Sequence, residues 1–212
     1  MDGMYVLADF AAEETELEQQ ESAISSGLSS PINYHNITHD DMLNGDGLRV
    51  VLWVAGCSHK CPGCHNPQTW DPNSGIPFTE WEASEFWEWL AKPWTQGATF
   101  SGGDPLFCSN RTFIGSMMAK VKEKYPNKDI WLYTGYTLEQ DEKGFYFADG
   151  DDTFRYEALQ YVDVLVDGKF DMKQREVDIN NHKTCHWRGS SNQRIIDVKK
   201  TLETGNIIER RK

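Results

Sequence analysis

Three cysteines have the residue type and spacing in this sequence that best suit chemistry. Cys57, Cys61 and Cys64 fall within eight residues, in the order C-x3-C-x2-C. Thiolates are soft ligands that bind zinc, copper(I) or iron–sulfur clusters. Electron-carrying ferredoxins use four cysteines for each cluster, whereas three cysteines on a four-iron cubane leave one iron for a small molecule. The spacing therefore predicts a 4Fe–4S cluster that takes part in chemistry.

A structural zinc site is the main alternative for these cysteines. Zinc requires four ligands around a closed tetrahedron, and the fourth would have to come from His59, His65, Cys108 or Cys185. His65 is adjacent to Cys64, so the two side chains cannot easily reach one ion. Common zinc sites also take ligands from two separate loops, whereas one loop carries all three cysteines here. Three ordinary buried thiols are a further alternative, which the close spacing disfavours.

The composition favours one acidic domain in a reducing compartment. The chain has 212 residues, of which 39% are hydrophobic, and a net charge of −12. This size suits one core, and this charge repels nucleic acids. The five cysteines are odd in number and crowded, unlike a disulfide framework. The N-terminus lacks the features of a signal peptide, and no apolar run approaches the ~18 residues of a membrane span. We expect a cytoplasmic protein with neither nucleic acid nor a membrane as partner.

Strands and helices alternate after an acidic segment, residues 1–32, which we expect to be a mobile extension. Four segments are typical of buried strands that end in glycine-containing turns: 49–56, 97–101, 130–134 and 161–168. Two segments have the apolar spacing of helices: Ala83, Phe86, Trp87 and Leu90 after a capping box of Thr79 and Glu82, and Ile114, Met117, Met118 and Val121. Residues 138–160 are polar, and we expect a loop with a short helix there.

This alternation predicts an α/β domain over residues 33–212, built on a parallel sheet. Parallel strands place their carboxyl ends on one edge, where open sheets and barrels bind ligands. The cysteine loop and the turn at residues 102–105 (GGDP) should therefore face each other across one pocket. A full eight-unit barrel takes ~250 residues, so we expect a partial, open barrel.

Five segments together resemble the radical S-adenosylmethionine superfamily, and within it the family that activates anaerobic ribonucleoside-triphosphate reductase. They are residues 43–70 with the three cysteines, 100–106 (FSGGDPL), 129–136 (DIWLYTGY), 163–170 (DVLVDGKF) and 187–194 (WRGSSNQR). The cysteine spacing by itself is typical of the superfamily, and the combination is more specific. The resemblance implies a partial, open parallel β/α barrel of the radical SAM type. Residues 140–154 are longer than usual for the family.

The resemblance also implies site residues. Cys57, Cys61 and Cys64 would ligate the cluster, whose open iron would take the amino and carboxylate groups of S-adenosylmethionine. The cofactor contacts that it implies are Gly63, Cys64 and His65 from the cysteine loop, with Gly102, Gly103 and Asp104 around the methionine amino group. Gly63 stands where many members of the superfamily have an aromatic residue. Backbone carbonyls and a carboxylate suit an ammonium group.

Further residues have weaker assignments. Thr134 and Tyr136 are candidates for contact with the ribose or adenine, and Arg188 for contact with the carboxylate, while Asp167 is expected on the same edge. The alternative for Tyr136 is a position in the core, and the alternative for Arg188 is a surface ion pair. Those that we expect outside the site are Cys108 and Cys185 as buried thiols, and His35 and His39 as surface groups.

The function that the resemblance implies is that of an activating enzyme. It would make a 5′-deoxyadenosyl radical and install a glycyl radical on anaerobic ribonucleoside-triphosphate reductase, with a flavodoxin or ferredoxin as electron donor. The cofactor carries the radical chemistry, so no catalytic side chain is predicted. The alternatives are an activase of another glycyl-radical enzyme, a non-catalytic zinc-stabilised binding module, and a passive electron carrier.

Overall fold

The computed structural model describes residues 32–175 and 187–210, which form ten strands and three α-helices. The strands are β1 (Asn33–Asp41), β2 (Leu48–Val54), β3 (Ile76–Pro77), β4 (Thr95–Gly102), β5 (Asp129–Tyr133), β6 (Thr137–Asp141), β7 (Gly144–Asp149), β8 (Asp152–Phe154), β9 (Val164–Asp167) and β10 (Arg194–Asp197). The helices are α1 (Glu80–Ala91), α2 (Arg111–Lys124) and α3 (Val198–Thr204).

A seven-stranded sheet with the order β10-β9-β5-β4-β2-β1-β3 forms the centre of the domain. The four central strands, β2, β4, β5 and β9, are parallel, and β1, β3 and β10 join the two sides antiparallel. The protein is therefore a mixed α/β domain, and its mostly parallel sheet does not close on itself. The four parallel strands are the four that the apolar runs predict.

Both predicted helices are present. Thr79 and Glu82 form the predicted capping box at the start of α1, with the Thr79 N–H donating to Glu82 Oε2 at 2.8 Å. The apolar faces of α1 and α2 are buried as their spacing predicts. Phe86 of α1 lies against Phe100 of β4, with ring centroids 5.9 Å apart. The helices thus cover one face of the sheet and leave the other face to line a cavity. None of the helices in the described part of the chain could span a membrane.

The prediction for residues 138–160 is wrong in its main part. Instead of a loop, β6, β7 and β8 form a separate three-stranded antiparallel sheet, followed by a short 3-10 helix at Glu157–Tyr161. Its strands bury few side chains, Leu138 and Phe147 among them, so the apolar signal in the sequence is weak. The strands β1 and β10 were also not predicted, because β1 is mostly polar and β10 has only four residues. Apart from Ile32, which is buried, the predicted extension lies outside the described residues.

An arginine is fully buried on the inner face of the sheet. The Nε of Arg49 on β2 donates to Thr99 Oγ1 at 2.7 Å, and its Nη2 donates to the Ala98 carbonyl at 2.8 Å. Its Nη1 forms an ion pair with Asp129 Oδ1 at 2.7 Å. Burial lowers the pKa of Arg49, and the charge of Asp129 opposes that shift. A cation in this position is tolerated because every arm of the guanidinium has a partner.

We expect Arg49→Met to lower the free energy of unfolding by about 3 kcal/mol, since it leaves the half-buried Asp129 carboxylate, Thr99 Oγ1 and the Ala98 carbonyl without their donor. Urea denaturation of the metal-free protein measures this. Arg155→Ala is the control, because its ion pair with Asp141 is exposed and its loss should change little. An Arg49→Met variant as stable as the control would contradict the prediction.

Candidate functional site

A pocket of about 320 Å³ lies at the carboxyl ends of the parallel strands. The cysteine loop follows β2, the glycine pair closes β4, and Thr134-Gly135 follows β5. All three elements line the pocket, as do Gly168 after β9 and residues 187–189. The predicted meeting of the cysteine loop with the GGDP turn is confirmed. The residues lining the pocket on these two elements include Cys57, Cys61, Cys64, His65, Gly102, Gly103 and Asp104.

Backbone hydrogen bonds hold the base of the cysteine loop. The N–H of Gly56 donates to the Thr69 carbonyl at 2.7 Å, and that of Cys57 donates to the Trp70 carbonyl at 3.0 Å. Gly63 inside the loop has a φ of +74°, and a Cβ there would lie 1.9 Å from the Met172 methyl. The backbone conformation of the loop therefore favours glycine at this position, whereas the flexible and exposed Met172 side chain could move aside.

The thiols of this loop are half-buried and accept hydrogen bonds. Burial raises the pKa of Cys57 to about 12, although the N–H groups of His59 and Lys60 donate to its sulfur and oppose the shift. Burial also raises the pKa of Cys61. The Asn66 N–H donates to Cys64 Sγ at 3.4 Å. N–H donors around sulfur are the environment in which proteins hold metal-bound thiolates.

Asp104 is the most extensively bonded side chain of the site. Its carboxylate is 1% exposed and accepts hydrogen bonds from the Leu106 N–H at 2.8 Å, Thr134 Oγ1 at 2.9 Å and the Gly135 N–H at 2.8 Å. His59 Nε2 donates to Asp104 Oδ2 at 2.6 Å. The bonds of this carboxylate thus go to the protein. Its contact with a methionine amino group stays a prediction.

The glycines of the GGDP turn allow backbone to approach backbone. A Cβ on Gly102 would lie 2.6 Å from the Val54 nitrogen, and one on Gly103 would lie 2.5 Å from the Gly56 carbonyl oxygen. The turn is therefore pressed against the end of β2, directly beside the cysteine loop. Any side chain at these positions would push the two elements apart.

His59 is the residue of the candidate site that sequence reasoning was least able to identify. It appears there only as a candidate zinc ligand, yet both ring nitrogens bond carboxylates: Nε2 bonds Asp104, and Nδ1 donates to Asp149 Oδ2 at 2.7 Å. Burial by itself would lower the pKa of His59. The hydrogen bonds that it makes to Asp104 and Asp149, together with the negative charges of these two carboxylates, raise its pKa overall. Asp149 also pairs with Lys169. Since these partners are 45 and 90 residues away, no local pattern could reveal them.

The geometry disfavours the zinc alternative. Among residues 32–175 and 187–210, one set of three metal-ligand side chains has its donor atoms within 4.8 Å of one another: Cys57, His59 and Asp104. Both nitrogens of His59 already bond carboxylates, and Cys61 and Cys64 are not in the set. Sulfurs around one zinc lie about 3.8 Å apart, as tetrahedral bonds of about 2.3 Å require. Cys108 is exposed, contrary to the prediction of a buried thiol, and Cys185 lies outside the described residues.

Of the residues with weaker assignments to the cofactor, two line this pocket and two lie outside it. Thr134 lines the pocket but donates to Asp104, and Arg188 lines it while donating to the Gln193 carbonyl at 2.9 Å. The Tyr136 ring is buried, and its hydroxyl donates to Asp152 at 2.6 Å, as a core aromatic would. Asp167 pairs with Arg194 in a second pocket of about 630 Å³, beside the three-stranded sheet.

Of the remaining histidines, His39 is exposed as predicted, whereas His35 is half-buried and not the surface group that the sequence predicts. His39 stacks on Trp89, while His35 bonds Ser74 Oγ at 2.9 Å. His65 lines the pocket, with its ring centroid 5.4 Å from that of Phe170. The pocket is therefore lined by the three cysteines, His65 and the GGD residues of the turn, whereas Gly63 is not among its lining residues. Their contacts with a cluster or a cofactor stay predictions.

Comparison with known proteins identifies relatives over most of the chain. The model of the 4Fe–4S single cluster domain family matches residues 43–196. The anaerobic ribonucleoside-triphosphate reductase-activating protein of Enterobacteria phage T4 is 43% identical over 164 residues, which cover 77% of this chain and 93% of the relative. Proteins of the same description from Vibrio cholerae and Escherichia coli K12 are 39% and 37% identical, over 77% and 76% of this chain and 97% and 96% of their own lengths.

We expect His59→Ala to lower the free energy of unfolding of the metal-free protein by about 3 kcal/mol, because it removes a charged donor from the buried Asp104. Urea denaturation measures the change. His39→Ala, which alters an exposed ring, is the matched control. Equal stability of the two variants would show that the His59 bonds contribute little.

In the metal-free protein, iodoacetamide should modify Cys108 well before Cys57. Thiolates are the reactive form, and a thiol with a pKa of about 12 stays protonated at neutral pH. Peptide mass spectrometry over a time course at pH 7.5 measures both sites. Equal rates at Cys57 and Cys108 would contradict the burial that the structure shows.

Proposed function

The chain belongs to the family of anaerobic ribonucleoside-triphosphate reductase-activating proteins with a 4Fe–4S single cluster domain, and on that premise we propose that it is a radical S-adenosylmethionine enzyme. One observation carries the proposal: three thiols of one loop line the same pocket as the GGDP turn. A 4Fe–4S cluster bound there would, with S-adenosylmethionine, supply a 5′-deoxyadenosyl radical that takes hydrogen from a glycine Cα of the reductase.

The donor set fits such a cluster. Cys57, Cys61 and Cys64 would be its ligands, and their sulfurs already accept backbone N–H groups of the kind that surround metal-bound thiolates. The pocket of about 320 Å³ is of the size that binds small molecules. Free thiols also suit the reducing cytoplasm in which we place the protein.

The residues around the pocket would bind and orient the cofactor. Gly63, Cys64 and His65 would contact it from the cysteine loop, and the backbone of Gly102 and Gly103 would accept its amino group. Because the carboxylate of Asp104 is bonded to the protein, we infer that this side chain acts mainly by fixing the turn. The electron would come from a flavodoxin or ferredoxin.

The protein also has to keep water and stray hydrogen donors from a primary radical. Trp53 and Tyr133 on the inner face of the sheet line the pocket together with Trp187, and these aromatic side chains would help to exclude water. The sheet does not close, and this favours a radical SAM domain of the partial-barrel type. A loop of the reductase would enter on that side and complete the shielding.

Replacing Cys57, Cys61 or Cys64 singly by Ala should abolish cluster binding after anaerobic reconstitution. The wild-type protein should contain about four iron atoms and four sulfides per chain, as a single cubane requires. Cys108→Ala is the matched control and should keep its iron, because this thiol is exposed and lies outside the pocket. Iron and sulfide analysis with electron paramagnetic resonance of the reduced protein measures the outcome. Colourless protein with one zinc would overturn the proposal.

The activity is tested with reductant, S-adenosylmethionine and anaerobic ribonucleoside-triphosphate reductase. We expect methionine, 5′-deoxyadenosine and the doublet of a glycyl radical on the reductase. A cluster without cofactor cleavage would point to an electron carrier. Cleavage with a glycyl signal on a different glycyl-radical enzyme, and none on the reductase, would point to another activase.

A further inference from the structure

The hydroxyl of Tyr133 is buried in the wall of the pocket. Among the described residues its Oη has no hydrogen-bond partner. The hydroxyls of two other tyrosines have partners: that of the buried Tyr136 donates to Asp152, and that of the half-buried Tyr156 donates to the Arg111 carbonyl at 2.8 Å. Burying an unpaired hydroxyl is unfavourable, and native proteins rarely leave one so. Tyr133 therefore presents a hydrogen-bond donor that residues 32–175 and 187–210 leave unused.

The strand register places this tyrosine below the turns that carry the cluster site. Trp53 pairs with Ser101, and Leu132 pairs with Phe100, so Trp53, Ser101 and Tyr133 form one row across the inner face. The cysteine loop, the GGDP turn and Thr134 follow this row. On the other side, Thr99 Oγ1 donates to the Asn44 carbonyl at 2.8 Å. Tyr133 thus lines the part of the pocket between the cysteine loop and Asn44, which we call its lower half.

The surroundings of Tyr133 favour a neutral acceptor. Burial raises the pKa of Tyr133 far above its ordinary value, so the hydroxyl stays protonated and can donate. Arg49 is the nearby cation, and its nitrogens bond Thr99, Asp46, Ala98 and Asp129. With the guanidinium already committed, a carboxylate entering here would lack a counter-ion, whereas a peptide carbonyl needs one donor.

The mouth of the lower half suits a polypeptide. Leu43 lines the pocket and is 79% exposed, and the neighbouring Met42 is 69% exposed. Two large apolar side chains in solvent beside a binding pocket are typical of a surface that contacts another protein.

We propose that the Tyr133 hydroxyl donates to a main-chain carbonyl of the reductase segment that enters the lower half of the pocket. This inference rests on the proposed function and names a contact that positions its protein substrate. Leu43 and Met42 would pack against apolar side chains of the same segment. The segment would then lie under the cysteine loop, with its glycine directed towards the cofactor.

The test is Tyr133→Phe, with Tyr156→Phe as the matched control. In the metal-free protein, Tyr133→Phe should leave the urea midpoint equal to or above that of the wild type, because it removes an unpaired hydroxyl. Tyr156→Phe should lower the midpoint, because it removes a satisfied hydrogen bond. This readout does not depend on a loaded enzyme.

In the reconstituted protein, the reductase concentration for half-maximal glycyl radical formation should rise about 5–10-fold in Tyr133→Phe, as expected for the loss of one neutral hydrogen bond. The rate of cofactor cleavage measured without reductase should change by a factor at least five times smaller than this one. Tyr156→Phe should leave both unchanged.

Three outcomes would overturn the inference. A parallel fall in cleavage without reductase would assign the hydroxyl to the cofactor. No change in either activity would assign it to an ordered water. A lower urea midpoint for Tyr133→Phe would show that the hydroxyl is already satisfied. If the wild-type protein itself neither cleaves the cofactor nor activates the reductase, the proposed function fails first, and that result is separate from a difference between variants.

Discussion

The buried carboxylate of Asp104 is the interaction on which the site depends. A carboxylate removed from water is tolerated only if donors surround it, and here they come from different parts of the chain. His59 belongs to the cysteine loop, Leu106 follows the GGDP turn, and Thr134 and Gly135 follow β5. Satisfying one charge therefore draws three elements to one point. The thiols are placed over the pocket as a consequence.

The glycines and a second buried charge complete this arrangement. Gly102 and Gly103 let the ends of β2 and β4 touch through their backbones, so the Asp104 network can close. Arg49 organises the opposite end of the inner face in the same way, by giving each of its nitrogens a partner. Between the two networks the lining is aromatic and less densely bonded. A pocket with two rigid ends can hold a ligand in one orientation.

The sequence predicted what is encoded locally. The four parallel strands are continuous apolar runs, the helices have periodic faces, and the cysteines lie within one loop, so each could be recognised from neighbouring residues. The β6–β8 sheet could not, because its polar and half-exposed strands have the composition of a loop. The His59 contacts join residues 45 and 90 positions apart, and Tyr133 is hidden within an apolar strand. Tertiary structure alone determines which partners these side chains have or lack.

The three-stranded sheet has a consequence for how the chain can vary in length. Asp149, at the end of β7, reaches across to His59 in the cysteine loop. A segment with the composition of a polar insertion thus supports the cysteine loop. Surface insertions usually tolerate deletion because other parts of the fold do not contact them. This segment differs, because Asp149 bonds His59 of the cysteine loop. Deleting residues 142–151 would shorten the chain by ten residues and remove Asp149, which would leave His59 of the cysteine loop with Asp104 as its remaining carboxylate partner.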